Sequence, residues 1–225
     1  MRKKLIFALL ACGVLFYSFS QNLISALTVG ELQKKMMGSE ASLRSLKFDF
    51  VQKAQSSLTS ENRESSGTAY IRKPKQLRIE QNEPEKQLMV SNGKTVYIYT
   101  PRFNQVVKDS WNRWFSQNLF FPGLAGFSEM LEKLKSEYQW EISSMTVLNG
   151  ENTIMVQLIP TEKKNSEERL KLWLGENDFI PRKTEFVSGT MTLTTTMISM
   201  KLNEDLKQEL FKFNRPAQSE MIQMP

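Results

Sequence analysis

Apolar and polar residues alternate along most of the chain after residue 45, and this pattern predicts a protein made mainly of β-strands. Leu46, Phe48 and Phe50 alternate with Lys47 and Asp49, which is the two-residue period of a strand with one buried face. The further segments predicted as strands are 67–73, 77–80, 88–90, 96–100, 103–108, 138–142, 154–158, 170–174, 180–187 and 190–201. Ten or eleven strands joined mostly by short connections predict a meandering antiparallel sheet. A sheet of that size must curl or close.

Two tight turns support the antiparallel arrangement. Asn92-Gly93 and Asn149-Gly150 each stand between two alternating segments. Asn-Gly suits the positive φ angles of a type I′ turn, so both positions predict β-hairpins.

Helical periodicity is found in two places. Thr28 and Glu31 have the spacing of a capping box and predict a helix over residues 29–38 that ends at Gly38. Residues 111–140 lose the strand alternation, are rich in large apolar residues and predict helices over 111–118 and 125–136. The economical architecture is an unclosed (half) antiparallel β-barrel whose open mouth is covered by helices.

The first 20 residues have the pattern of a secretory signal peptide. A basic segment, residues 1–4, precedes an apolar run over 5–19. The run is about 15 residues long, which is short of the roughly 20 that span a bilayer. Cleavage is predicted after Ser20, with Ala26 as a second candidate, leaving 21–225 as a single domain in the periplasm.

Cys12 supports a rival interpretation. Residues 9–12, Leu-Leu-Ala-Cys, resemble a lipobox, in which Cys12 would carry lipid and anchor the protein. The apolar run continues past Cys12, which favours the ordinary signal peptide. Both interpretations stay open.

The composition excludes several classes of function. The chain has 225 residues, no histidine and one cysteine, so catalytic triads and metal sites that need histidine are absent. Removal of residues 1–20 takes away three basic residues and leaves 27 basic against 24 acidic, a net charge of +3. Neither a dense basic stripe nor a catalytic pattern of carboxylates is present, so we expect no nucleic-acid partner, no cofactor, no metal and no enzymatic activity.

Several segments, in this order, resemble the periplasmic outer-membrane lipoprotein carriers, the LolA-like proteins. Residues 45–52, SLKFDFVQ, are similar to the first strand of the family, F-x-A-x-F-x-Q. Residues 67–74, GTAYIRKP, resemble its G-x-x-W-V-K-R-P, and residues 88–99 resemble its LVSDGKTLWFY. The Ile180-Pro181-Arg182 turn and residues 203–216 are similar to its last third.

The resemblance implies a fold and a function. The fold is an unclosed antiparallel barrel with a helical lid over its concave apolar face. The function is that of a monomeric chaperone in lipoprotein transport. It would receive lipoproteins from an inner-membrane lipoprotein-releasing ABC transporter, shield their acyl chains and pass them to an outer-membrane acceptor.

The family also implies a latch between sheet and lid. An arginine directly before the proline holds the lid in the family, whereas this chain has Lys73 there and Arg72 one position earlier. Lysine lacks the guanidinium fork, and neighbouring strand residues point to opposite faces. Lys73 and Arg72 are the candidate latch residues, and either Lys73 latches the lid more weakly or the carrier takes a different cargo.

Apolar residues on the predicted strands and helices are the candidate lipid-binding residues, and for each the plainer interpretation is an ordinary core position. The strand candidates are Leu77, Ile79, Leu88, Val90, Val96 and Ile98, and the lid candidates are Phe120, Phe121, Leu124 and Phe127. Two hypotheses remain open: a diffusing lipoprotein carrier, and a membrane-anchored lipid-binding or envelope sensor module on the same fold.

Overall fold

A computed structural model of the chain describes residues 27–59, 61–117, 127–162 and 167–224, without the side chains of residues 116–117 and 127–130. The predicted signal peptide, Cys12 and both cleavage candidates therefore lie outside the described residues. Within the described ranges, no helix combines the length and the apolar character that a bilayer crossing requires.

Three α-helices and twelve strands are found in the described part of the chain. The helices are α1 (Val29–Ser42), α2 (Trp111–Gln117) and α3 (Phe127–Glu137). The strands of the first half are β1 (Ser45–Ser56), β2 (Asn62–Arg72), β3 (Gln76–Glu83), β4 (Gln87–Asn92), β5 (Thr95–Thr100) and β6 (Gln105–Ser110). Those of the second half are β7 (Tyr138–Leu148), β8 (Glu151–Pro160), β9 (Arg169–Gly175), β10 (Pro181–Ser188), β11 (Met191–Leu202) and β12 (Glu220–Gln223).

All twelve strands belong to one unclosed sheet with the order β12-β6-β5-β4-β3-β2-β1-β11-β10-β9-β8-β7. Two antiparallel meanders, β1 to β6 and β7 to β11, are joined where β1 pairs with β11. The parallel pairing of β12 with β6 is the exception to the antiparallel pattern. The predicted fold class, an open antiparallel sheet with helices, is confirmed, with twelve strands where ten or eleven were predicted.

The helices pack on one face of the sheet, which we call the inner face. Apolar side chains on this face form two buried clusters, one over β1–β5 with α2 and one over β7–β9 with α1 and α3. The period of two along each strand brings these side chains to the same side. Gly67 is required for the close approach of β2 to β3, because a Cβ there would lie 2.8 Å from the Cα of Gln81.

The chain after β11 crosses the opposite, outer face before it adds β12. A short 3₁₀ helix, Gln208–Phe211, contacts β3 and β4 there. Arg78 on β3 donates to the Leu210 carbonyl oxygen at 3.3 Å, and the rings of Tyr97 and Phe213 stack at 4.8 Å. We call residues 203–219 the C-terminal strap.

Two local predictions differ from the structure, and one is confirmed. Helix α1 does not end at Gly38 as predicted but continues to Ser42. Nothing lies within 4 Å of a Cβ placed on Gly38, so this glycine does not mark a close contact either. The turn at Asn149-Gly150 has the two positive φ angles expected, 52° and 81°. At the other hairpin only Gly93 takes a positive φ, because the Asn92 side chain closes the turn by accepting from the N–H groups of Lys94 and Thr95.

Candidate functional site

The inner face of β1–β5 is an apolar surface built from rows of cross-strand neighbours. One row runs Phe48, Ala69, Ile79, Met89 and Ile98 across five strands. The next row runs Leu46, Ile71, Leu77, Ser91 and Val96. Because directly paired residues lie on the same side of an antiparallel sheet, the rows form one continuous surface.

Helix α2 covers part of this surface with aromatic rings. Trp111 and Trp114 are buried in the first cluster. The ring of Phe115 stacks on Trp111 at 5.6 Å and packs against both clusters. The helix therefore stands where the two halves of the inner face meet.

The strand candidates divide between the two faces. Leu77, Ile79, Val96 and Ile98 lie together on the inner face. In contrast, Val90 pairs with Arg78 and Tyr97, in the set of residues that point to the outer face.

Leu88 is on the outer face too, since it pairs with Glu80 and Tyr99. Leu88 and Val90 therefore do not join the inner-face set. Val90 is nevertheless only 1% exposed, because the C-terminal strap covers the outer face of this strand. Met89, which stands between Leu88 and Val90 in the sequence, points to the inner face.

The predicted lid is described only in part. Phe120, Phe121 and Leu124 lie outside the described residues, and Phe127 begins α3 without a described side chain. The rest of α3 packs on the sheet through Leu131 and Leu134, next to α1. The indole N–H of Trp140 donates to the Leu134 carbonyl oxygen at 3.0 Å and fixes the end of this helix on β7.

Among the described residues, Lys73 contacts helix α1. Its Nζ lies 2.5 Å from Oε1 of Glu40 and also donates to the Glu40 carbonyl oxygen. Glu40 is buried near the C-terminal end of α1, where a cation is favoured by the helix dipole. The two interactions tie the first helix to the end of β2.

Arg72 lies on the other side of the sheet. It donates to Oε1 of Gln76 at 2.7 Å and to the Leu206 carbonyl oxygen at 2.9 Å, and its guanidinium lies 5.0 Å from the Phe211 ring. These contacts hold the C-terminal strap against the sheet. Of the two latch candidates, Lys73 contacts an α-helix of the inner face, whereas Arg72 contacts the strap on the outer face.

Glu40 is the site residue that the sequence reasoning missed. It follows Leu32 and Met36 at intervals of four, so it belongs to the apolar stripe of α1. A carboxylate in an apolar stripe needs a cation partner, and that signal could have indicated the pair with Lys73.

Two groups in the second half of the sheet have shifted pKa values. Burial, together with the nearby carboxylate of Glu168, raises the pKa of Tyr138 to about 12. Burial alone would lower the pKa of Arg182, but hydrogen bonds from its guanidinium to Glu151 and Asp178 raise it above the ordinary value. Both side chains therefore keep their protons, and in that form they face the neighbouring carboxylates.

Most of the chain matches one known protein family. The model of the family described as outer membrane lipoprotein carrier protein LolA matches residues 41–214. This chain belongs to the LolA family. The matched region runs from the end of α1 through the sheet and into the C-terminal strap.

Curated relatives are distant. An uncharacterized protein of Methanocaldococcus jannaschii is 26% identical over 214 residues, which are 95% of this chain and 58% of that protein. The chain thus spans less than two thirds of the length of this relative. An outer-membrane lipoprotein carrier protein of Legionella pneumophila is 24% identical over 210 residues, which are 93% of this chain and 96% of the relative.

Solved structures share the fold. A conserved protein from Thermus thermophilus has a TM-score of 0.58 at 11% identity, and the match covers 88% of this chain and 100% of that chain. MucB has a TM-score of 0.56 at 12% identity, with 82% of this chain and 62% of that chain covered, and a chain of the Pseudomonas aeruginosa MucA/MucB complex has a TM-score of 0.53 at 11% identity. At these identities the likeness concerns the fold alone.

Proposed function

We propose that this LolA-family protein is a periplasmic carrier that binds the acyl chains of lipoproteins and takes them from the inner to the outer membrane. The observation that carries the proposal is the apolar inner face, with Leu77, Ile79, Val96 and Ile98 in one surface beneath α2. Membership of the family supports the same role. The activity is binding, without a chemical step.

The energetics of acyl chains fit such a surface. Each methylene group costs about 0.8 kcal/mol in water, so one chain of about 15 carbons costs about 12 kcal/mol. A carrier must cover this hydrocarbon completely and then release it. An open sheet can do so if the helices that cover it move aside, and methionine at position 89 adapts to chains of different shape.

The Lys73–Glu40 pair is the candidate latch for that movement. It is one polar connection between α1 and the end of β2, added to the apolar contacts of Leu32 and Met36. Partial exposure of the Lys73 side chain, 32%, lets water reach the pair. An inner-membrane ABC transporter and an outer-membrane acceptor are the partners we propose for loading and unloading a monomeric carrier.

Native mass spectrometry of the protein, purified from the bacterial envelope without detergent, tests the function. We expect a fraction of the molecules to carry an acylated protein. Bound phospholipid in place of acylated protein would indicate a different cargo, and protein that is free of any lipid after envelope extraction would contradict the proposal.

A membrane-anchored lipid-binding or sensor module is the second candidate. The fold likeness to MucB, solved in complex with MucA, and the lipobox-like residues before Cys12 favour it. Radiolabelled palmitate fed to cells that produce the wild type and Cys12→Ser separates the two candidates. Label in the wild type alone supports the anchored module, and absence of label from both supports the diffusing carrier.

A further inference from the structure

A row of polar side chains interrupts the apolar inner face where the two meanders join. Gln52 on β1 pairs with Thr195 on β11, and Thr195 pairs with Thr184 on β10. Ser65 on β2 extends the row on the other side of Gln52. The exposed fractions are 7% for Gln52, 1% for Thr195 and 2% for Thr184. We call these four residues the polar row.

The neighbouring rows show that the polar row belongs to the inner face. On one side, Phe50 pairs with Met197, and both are buried in the first cluster. On the other side, Leu193 pairs with Phe186, which packs against the second cluster. The polar row therefore lies within the apolar surface, between the two clusters.

Buried polar groups in an apolar surface are costly unless they are hydrogen-bonded. The Gln52 amide donates to the Thr195 hydroxyl oxygen at 2.9 Å, which leaves the Thr195 hydroxyl proton as a donor. Within the described part of the chain, the Thr184 hydroxyl makes no side-chain hydrogen bond. Two hydroxyl donors are thus available in the middle of a surface that otherwise suits hydrocarbon.

We propose that the polar row binds the ester or amide carbonyl groups that join acyl chains to their head group. This inference rests on the proposed function and names the chemical class of its ligand: neutral acyl esters and amides. A carbonyl oxygen accepts a hydrogen bond from each hydroxyl, whereas the acyl chains extend from the row over the apolar rows on either side. A plain hydrocarbon offers no acceptor to either hydroxyl proton.

Two probes separate this subsite from apolar binding in general. Diphenylhexatriene is a hydrocarbon that fluoresces in apolar sites, and dioleoylglycerol carries two ester carbonyls. We expect the wild type to bind diphenylhexatriene and to release it when dioleoylglycerol competes. The test variant is Thr184→Val with Thr195→Val, in which each hydroxyl becomes a methyl group of similar size.

The double variant should lose about tenfold in affinity for dioleoylglycerol, since one neutral hydrogen bond accounts for a factor of about two to ten. Its affinity for diphenylhexatriene should stay within about twofold. The control is Thr194→Val with Thr196→Val on the outer face of the same strand, which should change neither affinity. Thr195→Ser keeps the hydroxyl and should bind dioleoylglycerol like the wild type.

The outcomes are distinct. If the double variant binds both probes like the wild type, the polar row is not a subsite, although the carrier function survives. If the wild type binds neither probe, the carrier function and this inference both fail. If the double variant does not fold, the single variant Thr184→Val replaces it, because the Thr184 hydroxyl makes no side-chain hydrogen bond to the described residues. An unchanged dioleoylglycerol affinity of this single variant then overturns the proposal.

Discussion

Replacing Lys73 by methionine removes the cation that holds both the carboxylate and the carbonyl oxygen of Glu40 at the end of α1. The Glu40 side chain is 9% exposed, so its charge would be left without compensation in a largely apolar setting. Breaking a fully buried pair costs about 3–5 kcal/mol. Because Lys73 is 32% exposed and water reaches the pair, we expect a loss of about 2–3 kcal/mol in the free energy of unfolding.

Urea denaturation measures that loss, and hydrogen exchange locates it. Exchange should increase over α1 more than over β1–β5, because the variant releases the helix from β2 while the sheet keeps its pairing. The double variant Lys73→Met, Glu40→Met carries neither charge and should return to within about 1 kcal/mol of the wild type. This pattern would show that the unpaired carboxylate is the cause.

Lys53→Met is the matched control. Its partner Glu64 lies 3.2 Å away, but both side chains are more than half exposed, so the loss should stay within about 0.5 kcal/mol. If Lys73→Met behaves like this control, or if exchange over α1 is unchanged, the Lys73–Glu40 pair does not hold α1 to the sheet.

Three further changes test the close approach of β2 to β3, the docking of the strap and the protonation of Tyr138. Gly67→Ala should destabilise the fold by about 2–4 kcal/mol in urea denaturation, because the added Cβ meets the backbone of Glu80. The control Gly38→Ala in α1 has open space around it and should stabilise the fold by about 0.5–1 kcal/mol. Equal effects of the two variants would disprove the close approach of β2 to β3. Phe211→Ala should cost about 3–5 kcal/mol, since this ring of the strap is fully buried. Limited proteolysis should then cut the strap first, and a resistant strap would argue against its docking through this ring. The pKa of Tyr138 is about 12 in the folded state, against 10.0 ordinarily, so the free energy of unfolding falls as the pH rises from 10 to 12. In Tyr138→Phe this fall should be smaller. An identical pH profile of the variant and the wild type would contradict the shift.

Most of the sheet could be predicted from the sequence because the same local signal recurs in most of its strands. In β1, for example, Leu46, Phe48 and Phe50 alternate with the charged residues Lys47 and Asp49. The parallel strand β12 was not predicted. It has four residues, and its pairing depends on a strap that docks on a surface remote in sequence.

The face of a strand is harder to predict where three neighbours are all apolar. Leu88, Met89 and Val90 give no alternation, so the sequence does not say which of them faces the helices. The usual guide, that the buried side is the inner side, fails here because the strap buries the outer face as well. Sheet register settles the matter by pairing Met89 with Ile79 and Ile98.

The latch shows how far a family motif can be used. The position before the proline indicated Lys73, and the structure places that residue against a helix. The helix is α1, and the partner is a carboxylate in its apolar stripe. A lysine can form this pair because one compact ammonium meets a carboxylate and a carbonyl oxygen close together, where no guanidinium fork is needed.

Binding of acyl chains by the inner face can be tested directly with two adjacent residues on β5. Ile98 lies on the inner face and Tyr99 on the outer face. A photo-crosslinking benzoylphenylalanine is placed at either position in cells fed an alkyne analogue of palmitate. We expect crosslinks to acylated proteins from position 98 and none above background from position 99; equal crosslinking from both positions, or none from position 98, would contradict the claim.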